Sequence, residues 1–329
     1  MTQPLLAIQG LNVGFKVFEG EMKVLKEVNM TVNAGEKIGL IGEMGCGKTT
    51  TMKTIIRLLA EPAANITGGR IMFNGTDTLS MSRGEFQKIR RNSLSMIFED
   101  PTAALNPVYT IGTQVRDAVY AAGNFKSKPT RAEVQARAVR ALEEVALPDP
   151  ERVLNNYPVQ LSGGMRQRVC IAMALLSASD LLIADEPDTS LDVTIKDQVL
   201  RLLNDLVERK GTSIILVTHS LGAVRKMTDR IYVMYAGSIM ETAPTNMFFT
   251  EPLHPYSRVL VASAPRLTGR GIGEGIAGRI PDYINPPAGC RFSPRCELAV
   301  DECIHHRPEM REIRPDHFVA CPQVDPVVA

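Results

Sequence analysis

The stretch Gly42-Glu43-Met44-Gly45-Cys46-Gly47-Lys48-Thr49 decides how this chain folds. It fits the pattern G-x-x-x-x-G-K-[ST], a loop built to hold phosphate. Gly42, Gly45 and Gly47 let the backbone curl until successive N–H groups point inward as an anion nest. Lys48 sets a positive charge against the β and γ phosphates, and the Thr49 hydroxyl is placed to ligate Mg²⁺. The following Thr50-Thr51-Met52-Lys53-Thr54-Ile55-Ile56 reads as a helix, whose N-terminal dipole adds to the anion site. Upstream, Lys37-Ile38-Gly39-Leu40-Ile41 is a short apolar strand leading into the loop. Strand, loop and helix in this order imply a bound nucleotide. They do not say what the nucleotide is used for.

Outward from the loop, Leu5–Leu11 and Val24–Val32 predict strands of a small antiparallel sheet. Gly68–Gly75 returns to strand and turn, and Ser93–Phe98 is a further strand. Between about 102 and 165 the chain reads as a helical insert. Arg131–Leu147 there places Val134, Ala138, Ala141, Leu142 and Val145 on one helical face. Leu161-Ser162-Gly163-Gly164 opens a helix running to about Ser177, and Leu181–Asp185 is a fully apolar strand ending in a carboxylate. Residues 194–210 predict a helix with Ile195, Val199, Leu202, Leu203 and Leu206 inward. Ser213–Thr218 and Ile231–Tyr235 are strands. The alternation implies a mostly parallel sheet flanked by helices. From about 244 the chain turns rich in Pro and Gly, and Gly269–Gly278, with five glycines, reads as a linker.

Composition narrows the function. The 329 residues carry 37 basic and 36 acidic groups, a net charge of +1, so no whole-chain field favours nucleic acid or an anionic membrane. The start Met1-Thr2-Gln3-Pro4 lacks the pattern of a secretory signal, and no apolar run approaches the ~18 residues needed to span a bilayer. The expectation is a cytosolic protein that meets membranes through partners. Four of the six cysteines (Cys290, Cys296, Cys303 and Cys321) crowd the C-terminal end, which in such a protein points to metal before disulfide.

Three further motifs carry chemistry. Asp185 at its strand end is placed to reach Mg²⁺, and Glu186 to orient or deprotonate an attacking water. His219 ends the next apolar strand, where a neutral imidazole can hydrogen-bond a γ phosphate. Ser162, Gly163 and Gly164 at a fresh helix N-terminus form a second anion site. One nucleotide does not need two such sites. The economical explanation is a head-to-tail dimer, in which this motif covers the nucleotide held by the partner's loop.

With these motifs in order and spacing, the chain resembles the ATP-binding subunits of ABC transporters. Leu161-Ser162-Gly163-Gly164-Met165 matches the signature, Ser190-Leu191-Asp192 the D-loop and His219 the switch histidine. Phe15 matches the aromatic residue that stacks on adenine. His254-Pro255-Tyr256-Ser257, Ala264-Pro265 and Pro287–Cys296 are similar to the C-terminal extension of the oligopeptide, dipeptide and nickel importer branch. The resemblance implies an α/β phosphate-loop ATPase core with an antiparallel β subdomain and the helical insert (1–245), then a small Cys-rich extension (246–329). It implies ATP and Mg²⁺ held by Gly42, Gly45, Cys46, Gly47, Lys48, Thr49, Thr50, Asp185 and Asp192. It also implies a second ATPase subunit (a heterodimer), two membrane permeases, an external solute-binding protein and a place at the cytoplasmic face of the membrane. Members of this branch move peptides, nickel or sugars, and the sequence does not choose among them. An ATP-binding regulatory or redox-sensing subunit with little hydrolysis is the alternative. An ATPase acting on DNA or ribosomes fits poorly: only 59 residues, without heptads, separate Pro101 from Leu161, and the chain has a single loop and signature.

The cysteines are spaced C-x₅-C-x₆-C-x₁₇-C, unlike the C-x₂₋₄-C pairs common in structural zinc sites. Four thiolates suit a [4Fe–4S] cluster, which the importer branch carries at this motif. Zinc and a metal-free segment are the alternatives. His305, His306 and His317 are expected at the surface. Residues 279–325 hold six Arg and eight acidic residues, which argues against a nucleic-acid-binding finger. Cys46, among the phosphate-binding N–H groups, either fills a position that needs a small residue or carries a thiol of lowered pKa.

Two residues depart from the family pattern: Glu99 where Gln is usual as a metal ligand, and Ser220 where Asp usually follows the switch histidine. An ionised Glu99 only accepts hydrogen bonds; it adds negative charge that tightens Mg²⁺ binding yet repels phosphate. Glu99→Gln is therefore expected to change the ATPase rate or its Mg²⁺ dependence. Identical kinetics across a Mg²⁺ titration would remove Glu99 from the site.

Overall fold

The computed structural model describes residues 3–60, 62–123, 128–177, 179–189, 191–263 and 276–325. The chain falls into two compact units, Met1–Ser80 with Leu216–Ala329, and Met81–Ile215. These do not coincide with a division near residue 245: the C-terminal residues belong to the unit that holds the phosphate loop.

That unit begins with β1 (Leu6–Val17) and β2 (Gly20–Val32), paired antiparallel with Leu6 opposite Val32 and Val17 opposite Gly20. Apolar residues of both strands face inward, burying Leu6, Ile8, Leu11 and Val13 with Leu25, Val28, Met30 and Val32. β3 (Lys37–Ile41) buries Ile38, Leu40 and Ile41 completely, as a strand covered on both faces must. Each such side chain contributes about 1.5–3 kcal/mol on leaving water. The phosphate loop follows, then α1 (Lys48–Ile55). β4 (Ala64–Phe73) pairs with β1, and the turn Asn74-Gly75, with φ of 46° and 75°, leads into β5 (Thr76–Asp77). The small sheet has the order β2-β1-β4-β5.

The second unit opens with α2 (Arg83–Asn92), capped reciprocally by Ser82 and Glu85, and β6 (Leu94–Ile97). The expected insert follows as α3 (Pro101–Ala104), α4 (Ile111–Ala122), α5 (Arg131–Glu144) and α6 (Pro150–Asn155), and the helix expected after Ser162 is α7 (Gly163–Ala174). In α5 the expected face is buried: Val134, Ala138, Ala141 and Leu142, with Val145 just beyond it. β7 (Leu181–Asp185) runs parallel to β6 and is buried throughout. In α8 (Val193–Lys210), Val199, Leu203, Leu206 and Val207 are buried, while Ile195 and Leu202 lie on the half-exposed rim of that face.

β8 (Ser213–Val217) returns the chain to the first unit, followed by α9 (Leu221–Met227), β9 (Arg230–Tyr235) and β10 (Ser238–Pro244). Beyond residue 244 come α10 (Thr245–Thr250), α11 (Pro255–Ala262), α12 (Asp301–His305), β11 (Arg311–Arg314) and β12 (His317–Val319). Within this unit the strand order is β11-β12-β10-β9-β3-β8. β3 and β9 are parallel, but β9–β10, β10–β12 and β11–β12 are antiparallel. The sheet is therefore mixed rather than mostly parallel. The reason is connection length: Ala236-Gly237 joins β9 to β10 in a two-residue turn, and such a turn only joins antiparallel strands. Of the stretch read as a linker, 269–275 lies outside the described residues, as does Ala264-Pro265.

β12 is held to β10 by a buried polar cluster. Glu241 is fully buried; its oxygens accept from Leu253 N–H (2.9 Å), His254 N–H (2.8 Å) and His317 Nε2 (2.7 Å). Burial pushes the Glu241 carboxyl up, and the hydrogen bonds, led by that from His317, outweigh it and leave it below the usual range. His317 is thus not the surface residue expected from its polarity; it is buried because it partners this carboxylate. Leu253, Ile313, Val319 and Cys321 form a small core beside the cluster. His254 is buried too, its Nδ1 accepting from Tyr256 N–H (3.0 Å) at the start of α11. Burial holds its pKa down at about 4. A histidine kept neutral in the fold binds its proton only on unfolding. Stability therefore falls as pH drops from about 6.5 toward 4, by up to about 3 kcal/mol from this group. His254→Asn keeps the cap acceptor and is expected to flatten that slope in denaturant titrations across pH; an unchanged slope would assign the pH dependence elsewhere.

Candidate functional site

The phosphate loop is shaped by what lies beneath it. Gly42 has φ 155° and faces Met234 O; a Cβ there would come within 2.1 Å of that oxygen. Gly47 has φ 105°, and its Cβ would meet Leu25 Cδ2 at 2.8 Å. Only glycine meets both the conformation and the space at these two positions. Cys46 N–H bonds back to Glu43 O (3.3 Å) and Thr51 N–H to Gly47 O (2.9 Å), so the loop passes directly into α1. Lys48 is buried, and its Nζ lies against Gly42 O (2.8 Å) and Glu43 O (3.1 Å), so its charge sits on the nest. Thr49 and Thr50 are half-buried in the first turn of α1, while Met44 and Gly45 face outward. Curled backbone, helix N-terminus, buried ammonium and adjacent hydroxyl suit a nucleotide's phosphates and the Mg²⁺ that accompanies them.

Cys46 does not carry a lowered pKa. Burial pushes the thiol up to about 11, against the nearby Lys48 charge, so it stays protonated and fills space under the loop. Phe15 is half-buried on β1 between Met22 and Ala64. His219 is exposed and follows Thr218, whose N–H donates to Leu40 O (3.4 Å) at the end of β3. The first unit therefore places the histidine beside the strand that feeds the loop. Ser220 caps α9 through Ala223 N–H. Ser and Asp are comparable caps, so Ser220 meets the capping need of α9 at the position where the family pattern has Asp.

In the second unit Asp185 and Glu186 are buried at the end of β7. Glu186 sits at φ 46°, a conformation costing about 1–3 kcal/mol in a residue with a side chain. Its Oε2 accepts from the Thr189 hydroxyl (2.8 Å). Asp188, which the sequence reading did not single out, is buried beside them. Ser162 caps α7, accepting from Met165 N–H (3.3 Å), and is exposed with the helix N-terminus. A Cβ on Gly164 would meet Ile195 at 2.9 Å, so the motif's second glycine lets α7 lie close to α8. Asp192 is exposed and starts α8, its carbonyl accepting from Ile195 and Lys196 N–H (both 2.9 Å); Ser190 lies outside the described residues. Glu99 is exposed, and Asp100 after it caps α3 through Thr102 N–H (2.7 Å).

Of the four terminal cysteines, Cys290, Cys303 and Cys321 are buried, and Cys290 N–H donates to Cys303 O (2.8 Å). The thiols share one neighbourhood. Burial raises the pKa of Cys290 to about 11, and the charges of Cys303 and Cys321 add to the effect. Yet among the described residues no three His, Cys, Asp or Glu side chains assemble into a group able to hold a metal ion. The thiols as placed do not form a ligand set for zinc or for a [4Fe–4S] cluster.

A family model described as ABC transporter matches residues 25–189, which span the phosphate loop, the Ser162-Gly163-Gly164 motif and Asp185-Glu186. The chain belongs to the ABC transporter family. A second family model, the oligopeptide/dipeptide transporter C-terminal region, matches residues 240–303. A probable peptide ABC transporter ATP-binding protein of Sinorhizobium fredii is 43% identical over 98% of this chain and 96% of its own length. An oligopeptide transport ATP-binding protein of Bacillus subtilis is 40% identical over 96% of this chain and 87% of its own. Among solved structures, a dimeric ATP-binding cassette in a post-hydrolysis state with ADP and Pi aligns with TM-score 0.64 at 27% identity. The alignment covers 73% of this chain and 98% of that one. A cassette of the ABC transporter complex CbiONQ of Clostridium perfringens aligns with TM-score 0.62 at 27% identity, over 76% of this chain and 92% of its own. The chain is accordingly an ATPase subunit whose hydrolysis drives transport. Among the described residues no helix is long and apolar enough to cross a membrane.

Proposed function

We propose that this ATPase powers the uptake of peptides, working with a second ATPase subunit, two permeases and an external solute-binding protein at the cytoplasmic face of the membrane. The observation that carries the substrate class is near-full-length similarity to peptide-transport ATP-binding proteins, including the oligopeptide/dipeptide C-terminal region. The backbone of Gly42–Thr49 and the Lys48 ammonium bind the phosphates, and Phe15 stacks on the adenine. Thr49, Asp185 and Glu99 would hold Mg²⁺, which when bound neutralises charge on the transferring phosphoryl group. Glu186 takes the proton of the attacking water, and His219 hydrogen-bonds the γ phosphate. Ser162, Gly163, Gly164 and Asp192 complete the site of the partner subunit. The order and spacing of the motifs along the chain support these roles, as does the strained backbone at Glu186. Glu186→Gln is expected to lower kcat at least about 100-fold while ATP still binds. Hydrolysis at the wild-type rate would remove Glu186 from the role of base.

A [4Fe–4S] cluster, with zinc as its alternative, is proposed from the spacing and shared neighbourhood of Cys290, Cys296, Cys303 and Cys321 alone; the thiols would have to draw closer than they stand to become its ligands, and no catalytic step depends on it. Anaerobic preparation of the full-length protein is expected to give broad visible absorption and bound iron, both lost in Cys290→Ser. Stoichiometric zinc in a colourless protein would decide for the alternative, and neither metal for a metal-free segment.

A further inference from the structure

Residues far beyond the ATPase motifs grip the phosphate loop. Glu43 is held at every polar group it has. Its carboxylate makes a two-pronged ion pair with Arg295, Nη1 to Oε2 at 2.7 Å and Nη2 to Oε1 at 3.1 Å. Its N–H donates to the Tyr256 hydroxyl (2.9 Å), and its C=O accepts from Lys48 Nζ (3.1 Å). Two residues on, Gly45 O accepts from the Tyr283 hydroxyl (2.7 Å). A trans peptide points its C=O and N–H in opposite directions. Fixing Gly45 O outward on Tyr283 therefore turns Cys46 N–H inward, where it meets Glu43 O (3.3 Å).

The gripping side chains are themselves immobilised. All five N–H donors of Arg295 are engaged, the others reaching Tyr235 Oη (3.2 Å), Ala277 O (2.7 Å) and Ile276 O (2.9 Å). Tyr256 is fully buried, packed edge-on against Tyr235 at 4.8 Å. Tyr283 is tied to β2 through Lys23 N–H (2.7 Å). None of these residues is placed to touch phosphate; they fix the peptide groups of Glu43 and Gly45, and through them the curl of the loop.

We propose that Tyr256, Tyr283 and Arg295 are positioning residues for ATP. The C-terminal segment holds the phosphate loop in its curled, anion-binding form, and the His254-Pro255-Tyr256 stretch is part of that brace. Without it the loop must order its own N–H groups each time a nucleotide binds, and affinity falls. The proposal rests on Gly42–Thr49 being the ATP site. The test uses the full-length chain in its assembled transporter and reads ATP affinity, KM, kcat and melting temperature. Tyr283→Phe is expected to raise the Kd and KM for ATP about tenfold, with kcat within twofold and melting temperature nearly unchanged; Arg295→Met is expected to weaken ATP binding as much and also to lower the melting temperature, because it leaves the Glu43 carboxylate and two carbonyls without partners. Glu43→Gln combined with Arg295→Met is expected to add little to either alone, because both remove one interaction. Arg295→Lys, which keeps the charge but loses the fork, is expected to recover part of the affinity. Unchanged ATP affinity in Tyr283→Phe and Arg295→Met would overturn the proposal. Should Arg295→Met fail to fold, Tyr283→Phe, which deletes one hydroxyl, decides alone. Failure of the wild-type protein to bind ATP would instead overturn the reading of the loop.

Discussion

A phosphate loop works only if its N–H groups are turned inward before the anion arrives, and here the absence of side chains at two positions makes that curl possible. Gly42 lies on Met234 O and Gly47 on Leu25, so both approaches leave no room for a Cβ. The strand pair β3 and β9 supplies the floor, because Met234 belongs to β9 and runs beside the strand that feeds the loop. Lys48 then lies on the loop's own carbonyls. Charge, curvature and helix dipole are concentrated within eight consecutive residues.

The C-terminal residues extend this arrangement rather than standing apart from it. β10 and β12 continue the strand array that carries the loop, and the buried Glu241 fastens them through two backbone N–H groups and His317. A buried carboxylate is tolerated because its oxygens are satisfied; left unpaired it would cost several kcal/mol. The same cluster sets the start of α11, which delivers Tyr256 to Glu43. One buried acid thus links the C-terminal strands to the Gly42–Thr49 loop.

Much was legible in the chain before any coordinates. The limits of β3 and β7, the amphipathic face of α5 and the helix after Ser162 follow from apolar period and capping residues, which are local properties. The limits failed where the physics is not local. β11 and β12 lie in the stretch beyond about 244, whose Pro and Gly content carries no strand signal, and pairing of β12 with the distant β10 overrides that composition. His317 looked like surface because a histidine's burial depends on its partner, and Glu241 is 76 residues away. Only the structure chose between the two readings of Cys46: proximity to helix N–H groups is visible in sequence, but the burial that dominates its pKa, and leaves it filling space, is not.

By itself the sequence supplied the residues on which the proposed chemistry rests: a glycine-framed loop, a lysine, a hydroxyl, two carboxylates and a second glycine motif, each set by short-range spacing. Only the tertiary structure decided what holds that chemistry in place. Arg295 reaches Glu43 across 252 residues and Tyr283 reaches Gly45 across 238. Contacts of that separation leave no periodic trace in the chain; they exist because the chain around Tyr283 and Arg295 folds back against β2 and the loop, where Lys23 N–H holds Tyr283 O.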